Sequence, residues 1–136
     1  MMEIMQQQAS LTKEVVTRYF EGINKGGWEN HLADDMVFGV FDKEIRGKQA
    51  YVSATRRFLQ VAKQVVVRRL IIEGESAAAI ARYKLVPPIG ATSAADVAEF
   101  FTVKNGKIMS NNIFFDTTAF NAFLAPFIAQ YYKEQL

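Results

Sequence analysis

Glu99-Phe100-Phe101-Thr102-Val103-Lys104-Asn105-Gly106-Lys107-Ile108-Met109-Ser110-Asn111-Asn112-Ile113-Phe114-Phe115-Asp116 reads as two strand-forming runs joined by Asn-Gly. Both residues of that dipeptide tolerate the positive φ that a two-residue turn requires, so a β-hairpin turning at 105–106 is predicted. Strand alternation then assigns faces. If Thr102 and Lys104 meet solvent, Val97, Glu99, Phe101 and Val103 share the opposite face, which sets a carboxyl among phenyl rings. On the return strand Asn111, Ile113 and Phe115 fall on one face by the same rule.

Upstream of the hairpin the chain is strand-like over 64–73 and 77–86, with a turn at Gly74-Glu75-Ser76 and a loop through Pro87-Pro88 to residue 95. Four long antiparallel strands result. Downstream, a segment capped at Thr117 or Thr118 carries Phe120, Phe123, Leu124, Phe127 and Ile128 at helical spacing, with Pro126 kinking it or starting a new helix.

The first half is mostly helical. Ser10 can cap a helix in which Leu11, Val15, Tyr19 and Ile23 recur every four residues beside Val16 and Phe20, until Gly26-Gly27 ends it. Residues 1–9 are expected to be flexible. A short second helix is expected at 28–32, then a strand at 36–41 with a bulge or a close contact at Gly39, and a return strand at 43–46. After Gly47, Tyr51, Thr55, Phe58 and Ala62 mark the inner stripe of a third helix. Three helices ahead of a meander, covering the concave side of its sheet, make an α+β layer architecture.

Composition bounds the function. The chain has 136 residues, half of them apolar, which suits one domain with a substantial core. Its net charge is only +2, too small a surplus for a nucleic-acid platform. No cysteine and a single histidine, His31, argue against disulfides, thiol chemistry and a zinc site. No run reads as a signal peptide or a membrane span, so a cytoplasmic protein without metal or cofactor is expected.

Several short patterns together resemble the nuclear transport factor 2-like superfamily, most of all its SnoaL-like and ketosteroid isomerase-like members. They are Arg18-Tyr19-Phe20-Glu21, Trp28, Ala33-Asp34-Asp35, Arg46-Gly47, Gly106-Lys107-Ile108 and Phe114-Phe115-Asp116. The resemblance implies a single domain over residues 10–136, including the C-terminal helix, with a cone-shaped curved antiparallel sheet packed against three N-terminal helices. It also implies a cavity for a small apolar ligand and a homodimer formed through the outer face of the sheet. Members include isomerases, cyclases, dehydratases, epoxide hydrolases and non-catalytic binders, and the fold does not choose among them.

The ketosteroid isomerase pattern combines a tyrosine from the first helix, a proton-shuttling aspartate on the first strand, and a second carboxyl kept neutral by apolar surroundings. Tyr19 resembles the tyrosine, the alternative being a core aromatic bonded to backbone. Val40 occupies the base position, and Asp42 is the nearest substitute unless it belongs to the turn before Lys43. Glu99 corresponds to the second acid. It is either a cavity carboxyl with a raised pKa or the partner of Arg82, Arg68 or Arg69 in an ion pair.

Phe38, Val40, Phe58, Phe101, Asn111, Ile113 and Phe115 are expected to line the cavity. An epoxide hydrolase triad is disfavoured by Asn112 and Ile113 on the last strand, and Asp116 is expected to cap a helix. His31 lacks an orienting partner, and the pairs Arg56-Arg57 and Arg68-Arg69 point their side chains apart. The reading is a small-molecule-binding protein, an isomerase or cyclase working by carboxylate proton transfer on a carbonyl or hydroxyl compound. The alternative is a non-catalytic ligand-binding or dimerisation module.

Overall fold

The computed structural model describes residues 2–40 and 43–118. Asp42 and the C-terminal segment expected after Thr118 lie outside them. Helix α1 (Met2–Lys25) is followed by a single 3-10 turn (Trp28–His31), strands β1 (Leu32–Val40) and β2 (Lys43–Arg46), and helix α2 (Lys48–Leu59). Strands β3 (Ala62–Glu73), β4 (Ser76–Leu85), β5 (Ser93–Lys104) and β6 (Lys107–Phe115) complete the order. There are thus two α-helices rather than three before the meander. Four residues at 28–31 cannot close more than one turn before Leu32 commits to the sheet.

One six-stranded sheet runs β2-β1-β6-β5-β4-β3. It is mixed, not purely antiparallel, because β1 lies parallel to β6, with Val40 beside Ile113 and Phe38 beside Asn111. The β5–β6 hairpin turns at Asn105 and Gly106, both at positive φ (53° and 75°), as the Asn-Gly signal requires. Register shifts at 32/37, 62/64, 67/69 and 102/103 mark irregular pairing along β1, β3 and β5. Such bulges increase strand bend and twist, so the sheet curls around α1 without closing. Gly39 lies at no register shift; a Cβ there would run into the Asn112 side chain, the close contact its position suggested.

Along α1, Val15, Val16, Tyr19 and Phe20 are buried against the concave face. The helix begins well before Ser10, since the preceding Met, Glu, Gln and Ala residues are good helix formers and nothing breaks them. Leu11, expected in the core, is exposed, and Thr12 is buried instead, its hydroxyl 2.7 Å from the Gly74 carbonyl oxygen. Near the other end, the Asn24 amide donates to the Val65 carbonyl at 2.9 Å and accepts from its N–H at 2.8 Å. That pair supplies edge strand β3 with the two bonds a neighbouring strand would give.

Candidate functional site

Strand β4 turns Ala77, Ala79, Ala81, Tyr83 and Leu85 inward. Three small side chains in a row leave room above the sheet for aromatic rings from α1 and for Tyr83 itself. Tyr19 packs edge-to-face with Phe20, Trp28 and Phe101 at centroid distances of 5.3, 6.4 and 5.7 Å. Phe38 meets Tyr51 at 5.1 Å and Phe58 meets Tyr83 at 5.0 Å. Such contacts fix ring positions and thereby the hydroxyls they carry.

Glu99 faces inward, as alternation on β5 predicts, and is only 2% exposed. Among the described residues no ion pair holds it. Oε2 accepts a hydrogen bond from the Tyr83 hydroxyl at 2.8 Å, and Oε1 accepts one from Asn111 Nδ2 at 3.0 Å. Asn111, fully buried, also donates to the Tyr51 hydroxyl at 3.0 Å, and Tyr51 bonds the Tyr19 hydroxyl at 2.5 Å. A continuous polar chain, Tyr83–Glu99–Asn111–Tyr51–Tyr19, therefore threads an apolar interior.

Burial governs the ionisation of its members. Desolvation pushes the Glu99 carboxyl above its ordinary value, against the opposing donors Asn111 and Tyr83. The hydroxyls of Tyr19, Tyr51 and Tyr83 are all pushed up, first by burial and then by neighbouring charge, Glu99 included. The tyrosines thus remain neutral donors, and Glu99 is the member of the chain poised to gain or lose a proton. One atom stays unpaired: Asn111 Oδ1 is buried and has no partner among the described residues. A buried acceptor left without a donor costs about 1–3 kcal/mol, so it marks a place where a further donor is wanted.

Of the residues expected at the site, the structure brings Tyr19, Phe38, Glu99, Phe101 and Asn111 together in the buried interior. Val40, Phe58, Ile113 and Phe115 are half-buried and pack against the same core. Two grooves of about 280 Å³ each lie along α1, one at Thr17, Phe20, Asn24 and Val65, the other at Gln8, Leu11, Thr12 and Val103, and neither reaches Glu99.

The sequence reading singles out neither the Tyr51 nor the Tyr83 hydroxyl, which bond Asn111 and Glu99 respectively. Tyr51 falls on the inner stripe of its helix, but nothing local says where a phenol tip ends; the inward direction of Tyr83 is legible in the alternating Ala77-Ala79-Ala81-Tyr83 pattern.

The arginines expected as partners of Glu99 lie elsewhere. Arg82 grips Asp96 through two bonds of 2.9 and 3.0 Å, and Arg68 reaches the same carboxylate at 3.0 Å, all on the solvent face. The Arg82 side chain holds the Asp96 carboxyl below its usual range. Arg56 makes an exposed pair with Glu29 at 3.4 Å. His31 is half-buried, with its pKa lowered by burial and by Lys107 and Arg18 nearby. Among the described residues no cluster of three or more His, Cys, Asp or Glu side chains is arranged for a metal, and no helix is long and apolar enough to cross a membrane.

Comparison with curated protein sequences gives no match. Solved structures do align. A protein from Kribbella flavida assigned as a ketosteroid isomerase matches with a TM-score of 0.66 at 23% identity, covering 80% of each chain. A protein from Jannaschia assigned as a SnoaL-like polyketide cyclase matches with 0.73 at 19%, covering 82% of this chain and 90% of that one. TerC, co-crystallised with polyporic acid, matches with 0.72 at 16%, covering 82% and 96%. At these identities the alignments establish a shared fold. The sequence profile of the SnoaL-like domain matches residues 16–111, from the buried face of α1 to Asn111 itself, and the chain belongs to that family within the nuclear transport factor 2-like superfamily.

Proposed function

We propose that this protein binds a small, mostly apolar compound bearing a carbonyl or hydroxyl group against the concave face, and moves a proton on it with Glu99. The observation that carries the reading is the buried Glu99 carboxyl, whose hydrogen-bond partners are both neutral. Such a group exchanges its proton nearer neutral pH than an exposed carboxylate, the range in which general acid–base catalysis is most effective. Tyr19 is the hydrogen-bond donor to the oxygen on which negative charge develops, and Asn111 Oδ1 receives a donor from the ligand. The ligand enters through the half-buried apolar rim of Val40, Phe58, Ile113 and Phe115, whose side chains yield more readily than the core beneath. Asp42 remains a second candidate base.

A non-catalytic binder is the second reading, favoured by Val40 at the position where the isomerase pattern carries its base. One probe separates the two. The apolar bicyclic ketone 2-tetralone, followed by NMR in heavy water, reports binding through saturation transfer and proton abstraction through deuterium uptake beside its carbonyl. Acid–base function is expected to accelerate uptake, with at least a hundredfold loss in Glu99→Gln, the scale of a positioned general base. Binding without acceleration supports the binder, and absence of both overturns the proposed site.

The protein acts as a homodimer in the cytoplasm in this reading. The outer face exposes Phe100 (46%) and Phe114 (43%), stacked edge-to-face at 5.8 Å, with exposed Ile80 and Ile71 in the same cross-strand rows. An apolar patch on an open sheet face suits a second copy. Light scattering at micromolar concentration is expected to give a multiple of the monomer mass, and Phe100→Glu is expected to halve it; a monomeric parent would refute this face as an interface.

A further inference from the structure

The first residues of α1 run past the sheet. From Met2 to Gln8 every side chain is exposed, and the first side-chain hydrogen bond from the helix to the rest of the described fold is that of Thr12 to Gly74. The projecting turns nevertheless keep an apolar stripe. Ile4, Met5, Gln8, Leu11 and Thr12 recur at the spacing of one helix face, and Ile4, Met5 and Leu11 are 59, 60 and 44% exposed. Residues 4–12 carry no charge at all, unlike the solvated face of a surface helix. Where the stripe meets the sheet, Gln8, Leu11 and Thr12 form one wall of the second groove, with Glu75, Val103, Lys104 and Asn105 opposite.

We propose that this stripe is an interface with a second copy of the chain, formed by antiparallel pairing of the two α1 ends about a two-fold axis through Gln8. Three features select that occupant. The pattern is self-complementary: with Gln8 on the axis, Met5 lies beside Leu11 of the second copy and Ile4 reaches the groove beside its Thr12. The residue on the axis is an amide, which both donates and accepts and so pairs with its own image. An uncharged stretch lets two identical surfaces meet without like-charge repulsion, and antiparallel helices set their dipoles in opposition. The pairing is separate from the sheet face, so a chain using both interfaces is a tetramer with two kinds of two-fold contact.

The absence of cysteine makes the test direct. Gln8→Cys is expected to form a disulfide-linked dimer under mild oxidation, whereas Gln6→Cys, on the far side of the helix, stays unlinked; Phe100→Glu leaves the Gln8→Cys link intact. The double substitution Ile4→Glu with Met5→Glu, outside the core, is expected to halve the native mass by light scattering. Equal linking of both cysteines, linking of neither, or a mass unmoved by the double substitution overturns the pairing, and none of these outcomes bears on ligand binding at Glu99.

Discussion

Glu99→Gln is expected to abolish a fall in folding stability that the parent protein shows as pH rises from the acid range. The sign follows from linkage. Burial holds the Glu99 carboxyl above its unfolded value, so the folded state binds more protons than the unfolded chain between the two values. The contribution of the neutral acid is complete below the unfolded pKa and is lost as pH rises through the folded one. Over that window the slope reaches at most about 1.4 kcal/mol per pH unit, the limit for a single proton. Gln has the shape of the neutral acid and keeps an acceptor for Asn111, so the variant carries no such slope and exceeds the parent in stability on the alkaline side.

Denaturant titrations of both proteins across pH measure this directly. The difference between the profiles cancels Asp96, whose lowered pKa acts in the opposite sense and outside the site, and His31 with it. Parallel profiles would mean that Glu99 is an ordinary carboxylate in the folded protein. The acid–base role would then lose its physical basis.

Gly22→Ala is the second large effect. A Cβ at position 22 would stand 2.6 Å from the Trp28 backbone nitrogen and 2.7 Å from its Cα. Those atoms are backbone, so no rotamer change relieves the clash. Ala gains about 1 kcal/mol over Gly in helix propensity, whereas forcing the 3-10 turn away from α1 costs about 1–3 kcal/mol in strain and more in lost packing. The net expectation is a destabilisation of about 2 kcal/mol, several degrees in Tm for a chain of this size. Trp28 also packs against Tyr19 and Tyr51, both at 6.4 Å, so the substitution is expected to loosen their hydroxyl pair and to weaken 2-tetralone binding. Thermal unfolding and the NMR binding experiment on the same sample check both parts. A variant as stable as the parent would show that the junction of α1 and the 3-10 turn tolerates displacement.

The two effects meet at the same interior. Helix α1 and the turn after it hold the rings, the rings hold the hydroxyls, and the hydroxyls, through Asn111, hold a carboxyl that water would otherwise solvate. A buried acid needs such a frame, because a carboxyl free to move would find solvent and lose its raised pKa.

The sequence by itself determined what local chemistry dictates. Asn105-Gly106 placed the hairpin, because few other dipeptides tolerate that backbone, and the alternation through Val97, Glu99, Phe101 and Val103 turned the acid inward, because a pleated strand has only two faces. The spacing of Val15, Val16, Tyr19 and Phe20 likewise set the buried side of α1. What only the tertiary structure decided is which groups meet. The parallel contact of β1 with β6, the pairing of Arg68 and Arg82 with Asp96 instead of Glu99, and the meeting of Tyr51 and Tyr83 with the Glu99–Asn111 pair all join residues distant in the chain. No local propensity encodes such contacts. They follow from sheet curvature and from the space left above three alanines on β4, and these exist only once the layers have packed.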